Sequence, residues 1–140
     1  MIEDRFNLDR FVEAQQDVYE DVRAELRAGE KRGHWMWFVF PQIRGLGHSY
    51  TSQLYAISGL DEAVAFLEHP ILGRRLRECT ALANAIRSSS AREVFGRPDD
   101  LKFRSSMTLF AHAASDNAVF LRALEKYFGS AFDPLTLQRL

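Results

Sequence analysis

Apolar residues recur at spacings of three and four along most of this chain, and this periodicity constrains the fold more than any other feature. The pattern occupies residues 8–26, 60–67, 72–86, 101–114 and 119–127, with charged and polar side chains between the apolar positions. Such spacing gathers apolar side chains on one face of an α-helix. The apolar run that follows Gly33 could form a short strand, but no second β-branched, alternating run exists to pair with it. The sequence therefore predicts an all-α fold of about six or seven helices.

Length and composition favour a single compact domain over residues 1–140. The chain has 140 residues, of which 46% are hydrophobic, and this is enough to build one core. No internal repeat, low-complexity segment or linker divides the sequence.

Capping residues predict where several helices begin and end. Asn7 is expected to cap the first helix, and Gly29 to end it in a left-handed turn. The sequence Ser90-Ala91-Arg92-Glu93 has the form of a capping box. Either Asp99 or Asp100 is expected to cap the helix that follows.

Charge balance restricts the classes of partner. Eighteen basic and nineteen acidic side chains leave a net charge of -1, so the electrostatic attraction on which duplex nucleic-acid binding depends is missing. We therefore expect no duplex nucleic acid as a partner. A small phosphorylated ligand stays open because basic residues cluster locally, at Arg74, Arg75 and Arg77 and at Arg97, Lys102 and Arg104. A solvated helix face is the alternative for most of them.

The location of the protein is predicted from what the sequence lacks. The single cysteine, Cys79, excludes an internal disulfide framework and is expected to pack as a small apolar residue in a reducing compartment. The first residues show no basic region followed by an apolar stretch, and no 18 consecutive residues are apolar. We therefore expect a soluble, cytoplasmic protein without a membrane partner.

An aromatic segment is the main candidate for function. Both tryptophans and two phenylalanines lie between Trp35 and Pro41, and a polar, glycine-containing loop follows at once. Apolar walls beside a few polar groups are typical of a ligand pocket. A small core with its exit loop has the same composition, and the sequence leaves both alternatives open. The segment itself is expected to form a short helix. The candidate ligand-binding residues here are His34, Trp35, Trp37, Phe38, Gln42, His48 and Ser49.

A second candidate element is the helix that carries Lys102. Ser105 and Ser106 lie three and four residues after Lys102, so both hydroxyls can neighbour the ammonium on one helix face. Charge and two donors are sufficient to bind a phosphate or carboxylate, whereas a nucleophilic serine would also need a base and an oxyanion site. A solvated lysine beside serines that bond to the helix backbone is the alternative. If Lys102 contributes to the pocket, the loop after Pro41 must pack near the start of its helix.

No metal or cofactor is expected. The four histidines, at 34, 48, 69 and 112, lack the spacing of a zinc site. Gly45-Leu46-Gly47 matches only the first half of a dinucleotide-binding fingerprint, and no phosphate-cradling loop occurs. Paired carboxylates near the aromatic segment are also missing, so no catalytic residue is assigned.

Three ordered motifs resemble one family of small bacterial proteins. They extend over residues 31–49, 69–76 and 99–110, with literal elements such as His34-Trp35-Met36-Trp37-Phe38 and Ser105-Ser106-Met107-Thr108. Its members are often automatically labelled calpastatin, a name we regard as a misannotation. The resemblance covers nearly the whole chain and implies an all-helical fold. It implies no biochemical function, because none is established for that family.

A looser resemblance concerns chemistry. The order of an aromatic-rich segment, a His69-Pro70 helix start and a later Lys102-Phe103 helix is similar to that of helical N-glycosidases acting on ADP-ribose conjugates or riboflavin precursors. Their Phe-Ser-Asn-Phe element has no clear counterpart here, so no catalytic residue is carried over.

Two functions follow as hypotheses. In the first, the aromatic segment and Lys102 bind a nucleotide-like or phosphorylated small molecule, with N-glycosidase-like chemistry as an extension. In the second, an exposed aromatic patch makes the protein a noncatalytic protein–protein interaction module. Either is compatible with a monomer or a small homo-oligomer.

Overall fold

Residues 3–140 are described by a computed structural model, and within this range the regular secondary structure is helical. The ten helices are α1 (Asp9–Gln16), α2 (Tyr19–Ala28), α3 (Met36–Val39), α4 (Tyr50–Leu54), α5 (Leu60–Glu68), α6 (Leu72–Ala85), α7 (Ala91–Phe95), α8 (Asp99–Ala113), α9 (Ala118–Phe128) and α10 (Pro134–Leu137). Extended pairing among these residues consists of one parallel bridge between Ile43 and Ile57. The all-α prediction is confirmed.

The predicted number of helices, about six or seven, was too low. Apolar periodicity counts the longer helices, and four helices have only four or five residues, too short to show this repeat. Two of the four, α3 in the aromatic segment and α7 after its capping box, were indicated by other features of the sequence. In addition, the predicted helix over residues 8–26 is divided into α1 and α2 at Asp17 and Val18. Near this break, the buried Gln15 side chain donates a hydrogen bond to the Phe38 carbonyl, 2.8 Å away. This long-range contact is invisible in a local pattern.

Predicted helix ends were confirmed in two cases and wrong in two others. Gly29 ends α2 in the left-handed region, and Ser90 with Glu93 forms the capping box of α7. Asn7 does not cap α1, because the Asp4 carboxylate accepts hydrogen bonds from the backbone N–H groups of Leu8 and Asp9 instead. Asp99 and Asp100 lie within the first turn of α8 rather than at its cap.

Helix α8 is the centre of the molecule. It packs against α3, α5, α7, α9 and α10, and all residues from Ser105 to Ala111 are buried. The hydroxyls in this buried stretch are shielded from solvent and need internal partners. The Thr108 hydroxyl donates to the Arg104 carbonyl at 2.8 Å. The first two turns of α8 reach the surface of a groove through Leu101, Lys102, Arg104 and Ser105.

Helices α5 and α6 approach each other closely at Gly73. A Cβ atom on this residue would overlap the Leu67 carbonyl oxygen and lie 2.8 Å from its carbon. The absence of a side chain at Gly73 therefore sets the distance between the two helices.

No helix within residues 3–140 is long and apolar enough to cross a membrane.

Candidate functional site

A half-buried glutamate holds the start of the aromatic segment. Glu25 Oε1, on α2, accepts hydrogen bonds from the backbone N–H groups of Arg32 and Gly33, at 2.6 and 2.8 Å, and from the Trp35 indole at 3.0 Å. Lys31 donates to the Gly33 carbonyl at 2.6 Å. These bonds bend the chain between α2 and α3 and fix the indole of Trp35 inside the protein.

The pKa of Glu25 lies below its ordinary value of 4.5. Burial favours the neutral acid and acts in the opposite direction, but the hydrogen bonds from Gly33, Arg32 and Trp35 and the charge of Lys31 outweigh it. The ionised carboxylate is therefore part of the folded structure.

We expect Glu25→Gln to reduce stability at neutral pH and to have less effect in acid. Gln can still accept the three bonds through its oxygen, but it lacks the charge that strengthens them, so the loss at pH 7 is about 1 kcal/mol. Because the folded pKa is lowered, the advantage of the wild type is present above the unfolded pKa and disappears as pH falls through the folded pKa. Urea unfolding of both proteins at pH 7 and pH 3 measures this difference. An equal difference at both pH values would contradict the assignment.

The two tryptophans have different environments. Trp35 is 2% exposed and packs against Phe40 in the core, with ring centroids 6.1 Å apart. Trp37 is only half-buried and lines two adjoining hollows. The two alternatives left open by the sequence thus apply to different residues: Trp35 is core, and Trp37 belongs to a cavity.

The larger hollow is a groove of about 520 Å³ between the loop after Pro41, the first turn of α8 and the segment that includes α10. This volume falls in the range of small-molecule sites. Its apolar walls come from Trp37, Leu46, Pro98, Leu101 and Leu135. Its polar groups come from Gln42, His48, Ser49, Ser52, Lys102, Arg104, Ser105 and Asp133. The loop and the start of the Lys102 helix therefore meet, as the pocket hypothesis required.

A smaller inner hollow of about 30 Å³ adjoins the groove. Both are lined by Trp37, Gln42, Gly47, Ser52 and Lys102. The inner space is large enough for about one or two water molecules. The body of a ligand would therefore occupy the groove, and only a small substituent would reach further in.

Lys102 lies at the junction of the two hollows. Its ammonium is 4.8 Å from the centroid of the Trp37 ring, a cation–π contact, and 3.3 Å from Asp99 Oδ1. The other oxygen of Asp99 is 2.8 Å from the ammonium of Lys31. One carboxylate is thus shared by two ammonium groups, which leaves this cluster with one net positive charge.

The opposite wall of the groove is fixed by hydrogen bonds between α8 and the C-terminal segment. Arg104 donates from Nε to the Ala131 carbonyl at 3.0 Å and from Nη2 to the Phe132 carbonyl at 2.8 Å. Ser105 Oγ lies 2.9 Å from Asp133 Oδ2, to which it donates, and the Asp133 backbone N–H donates to Thr108 Oγ1, also at 2.9 Å. This wall is rigid because each contact joins a turn to the central helix.

The groove contains six of the ten residues that the sequence suggested for ligand binding. These are Trp37, Gln42, His48, Ser49, Lys102 and Ser105. Ser49 also caps α4, where its side chain accepts from the Ser52 backbone N–H.

The other four predicted residues lie outside the groove. His34 is exposed ahead of α3, and Trp35 is in the core. Phe38 packs on Tyr55, with ring centroids 5.4 Å apart. Ser106 is fully buried in α8, and its hydroxyl has no hydrogen-bond partner among residues 3–140. A helix turns by about 100° per residue, so neighbours in a short aromatic or serine run face different directions.

Sequence reasoning missed Arg104 and Asp133 as groove residues. Arg104 was assigned only to a local basic cluster. Asp133 caps α10, where its side chain accepts a hydrogen bond from the Thr136 backbone N–H. Its position beside Ser105 depends on tertiary packing, and no local signal could have revealed it.

Metal-binding geometry is not found in the described part of the chain. No group of three or more histidine, cysteine, aspartate or glutamate side chains within residues 3–140 is arranged to hold a metal ion.

Comparison with known proteins identifies the family. Residues 5–140 match the family described as "Protein of unknown function (DUF1810)". The crystal structure of the conserved hypothetical protein Rv1873 from Mycobacterium tuberculosis is similar, with 56% sequence identity, a TM-score of 0.97 and 98% of each chain covered. Curated proteins gave no match. Because the family match spans nearly the whole sequence, the chain belongs to the DUF1810 family, whose function is unknown.

Proposed function

We propose that the groove binds a nucleotide-like or phosphorylated small molecule. The observation that carries this proposal is the ammonium of Lys102 beside the ring of Trp37, 4.8 Å from its centroid, in a groove of about 520 Å³. An aromatic ring offers a stacking surface for a base, and an adjacent cation offers a charge for phosphate.

The charges around the groove support an anionic ligand. An ammonium has three N–H donors, and Asp99 engages Lys102 at 3.3 Å, a longer distance than its 2.8 Å contact with Lys31. Donors of Lys102 therefore stay available on the groove side. Arg104, two residues further along α8, adds a second positive charge to the groove lining, with two of its nitrogens already bound to backbone carbonyls. Asp133 is the carboxylate that opposes these two cations in the groove lining.

Tryptophan fluorescence and calorimetry test the proposal directly. Because Trp35 is buried, we expect titration with adenosine monophosphate to quench Trp37 emission, and Trp37→Phe to abolish the response. Lys102→Met is expected to weaken binding about tenfold or more, since it removes a charge-assisted hydrogen bond. Lys126→Met, at an exposed position on α9, is the matched control and should bind like the wild type.

Two results would reject this function. One is the absence of binding in a screen of nucleotides, dinucleotides and sugar phosphates. The other is equal affinity of wild type and Lys102→Met for every phosphorylated compound that binds.

Cleavage of the bound ligand by the protein would add a catalytic activity to the proposed binding function. The N-glycosidase-like activity implied by the looser resemblance needs a carboxylate near the scissile bond, and Asp133 is the carboxylate in the groove lining. Release of free base, followed by chromatography, distinguishes an enzyme from a binding protein.

A second candidate function is supported by the rim of the groove. Leu101 is 48% exposed and Leu135 is 57% exposed, and exposed leucines beside an aromatic groove also suit contact with another protein. Light scattering across a concentration range tests self-association. Loss of an oligomer in Leu135→Ser would favour this function, and a monomer at all concentrations would exclude self-association.

A further inference from the structure

We infer that the ligand of the groove carries a sugar hydroxyl beside its anionic group, and that Asp133 Oδ1 accepts the hydrogen bond of this hydroxyl. The inference rests on the proposed function and narrows the ligand to a phosphorylated pentose, either free or as part of a nucleotide. It makes Asp133 a specificity-determining residue.

The two oxygens of Asp133 have different roles. Oδ2 accepts from Ser105 Oγ at 2.9 Å, from the Thr136 backbone N–H at 3.2 Å and from Thr136 Oγ1 at 2.6 Å. Oδ1 makes no hydrogen bond to any residue from 3 to 140. Some polar side-chain atoms in this range lack a partner and are also shielded from solvent, but Oδ1 is not one of them. Oδ1 is therefore a solvent-accessible acceptor on a residue that lines the groove.

The acceptor is held in place before any ligand arrives. The backbone N–H of Asp133 bonds to Thr108 Oγ1, and Arg104 holds the carbonyls of the two preceding residues. A carboxylate oxygen accepts and cannot donate, so it selects a ligand donor. A ligand ammonium would be repelled by Lys102 and Arg104, whereas a neutral hydroxyl is compatible with both cations.

The cation and the acceptor line the same groove. Asp133 is bonded to Ser105, which lies one helical turn after Lys102 on α8. A pentose phosphate carries an anionic group and ring hydroxyls on one small molecule, so a single ligand in the groove can offer the phosphate to Lys102 and a hydroxyl to Asp133.

Calorimetry with paired ligands tests the inference. The probes are adenosine monophosphate, its 2′,3′-dideoxy analogue, ribose 5-phosphate and inorganic phosphate. We expect the dideoxy analogue to bind wild-type protein about tenfold or more weakly than adenosine monophosphate, because a hydrogen bond to a charged acceptor is lost.

Asp133→Asn separates recognition from folding. Asparagine is as good a helix cap as aspartate, so its oxygen can replace Oδ2 and its NH₂ group then replaces the free acceptor with a donor. We expect the preference for adenosine monophosphate over the dideoxy analogue, about tenfold or more in the wild type, to fall to about threefold or less in this variant, because a neutral amide binds a hydroxyl more weakly than a carboxylate does. Loss of the negative charge affects the phosphate of both ligands alike, so the ratio of the two affinities isolates the hydroxyl. Asp116→Asn, the same substitution just before α9 and outside the groove lining, is the control. Melting temperatures of both variants verify folding.

The outcomes distinguish this inference from the function on which it rests. Equal binding of adenosine monophosphate and its dideoxy analogue to the wild type overturns the role of Asp133 and leaves phosphate binding intact. An unchanged preference for adenosine monophosphate over its dideoxy analogue in Asp133→Asn overturns it as well. If none of the four probes binds, the proposed function itself fails. Tight binding of ribose 5-phosphate supports the inference and indicates that the ligand is a free sugar phosphate. Binding of adenosine monophosphate without binding of ribose 5-phosphate supports the inference and indicates that the ligand is a nucleotide.

Discussion

Replacement of Gly73 by alanine is expected to lower the free energy of unfolding by about 3 kcal/mol. The new Cβ would overlap the backbone carbonyl of Leu67, which belongs to the packed helix α5 and cannot rotate away as a side chain can. The strain outweighs the ~1 kcal/mol by which alanine is favoured over glycine inside a helix. Urea unfolding, followed by circular dichroism, measures the loss.

Gly59→Ala is the matched control for this prediction. A Cβ atom at Gly59 meets no heavy atom within 4 Å, and the backbone there is extended, with φ at 169°. Gly59 is the N-cap of α5, where alanine is less favourable than glycine, so we expect the unfolding free energy of this variant to fall by no more than about 1 kcal/mol. A Gly73→Ala protein as stable as Gly59→Ala would show that α5 and α6 are not in close contact.

Phe103→Ala is expected to destabilise the protein by about 3–5 kcal/mol, since it removes a large side chain from the core. Phe103 is fully buried on α8 and is the centre of an aromatic cluster. Its ring centroid is 4.5 Å from that of Phe95, 5.0 Å from Phe40 and 6.0 Å from Tyr127. Alanine would leave a cavity that rings on three other elements cannot close without moving.

Two variants test whether the loss comes from packing. Leu101→Ala changes a half-exposed residue on the same helix and should alter the unfolding free energy by less than 1 kcal/mol. Phe103→Leu should lie between Phe103→Ala and the wild type. If Phe103→Ala and Leu101→Ala were equally stable, the aromatic cluster would not be the core of this fold.

The fold was predictable where local pattern determines structure. Spacings of three and four specified the longer helices, because one apolar face must be buried whatever the partner is. Gly29 specified the end of α2, and the Ser90–Glu93 box specified the start of the short helix α7, both through contacts within a single turn. The break between α1 and α2 was not predictable, because apolar spacings of three, four or their sums continue through Asp17 and Val18 without interruption.

The candidate site was predictable in outline and not in detail. The aromatic segment and the Lys102 helix were identified from composition, and they meet at the groove. Glu25 determines which tryptophan faces the groove. It accepts a hydrogen bond from the indole of Trp35 and holds that ring in the core, whereas Trp37 lies beside Lys102. Asp133 could not be assigned, because its neighbour Ser105 is 28 residues away in the sequence.

The sharing of Asp99 by two lysines affects how easily an anion can be accommodated. An incoming anion competes with Asp99 for Lys102, yet the carboxylate keeps its shorter contact of 2.8 Å with Lys31, whose side chain is only 7% exposed. No buried charge is therefore left uncompensated when Lys102 changes partners. The exchange needs only a small side-chain adjustment, which makes Lys102 a readily recruited cation while Lys31 continues to anchor the first turn of α8.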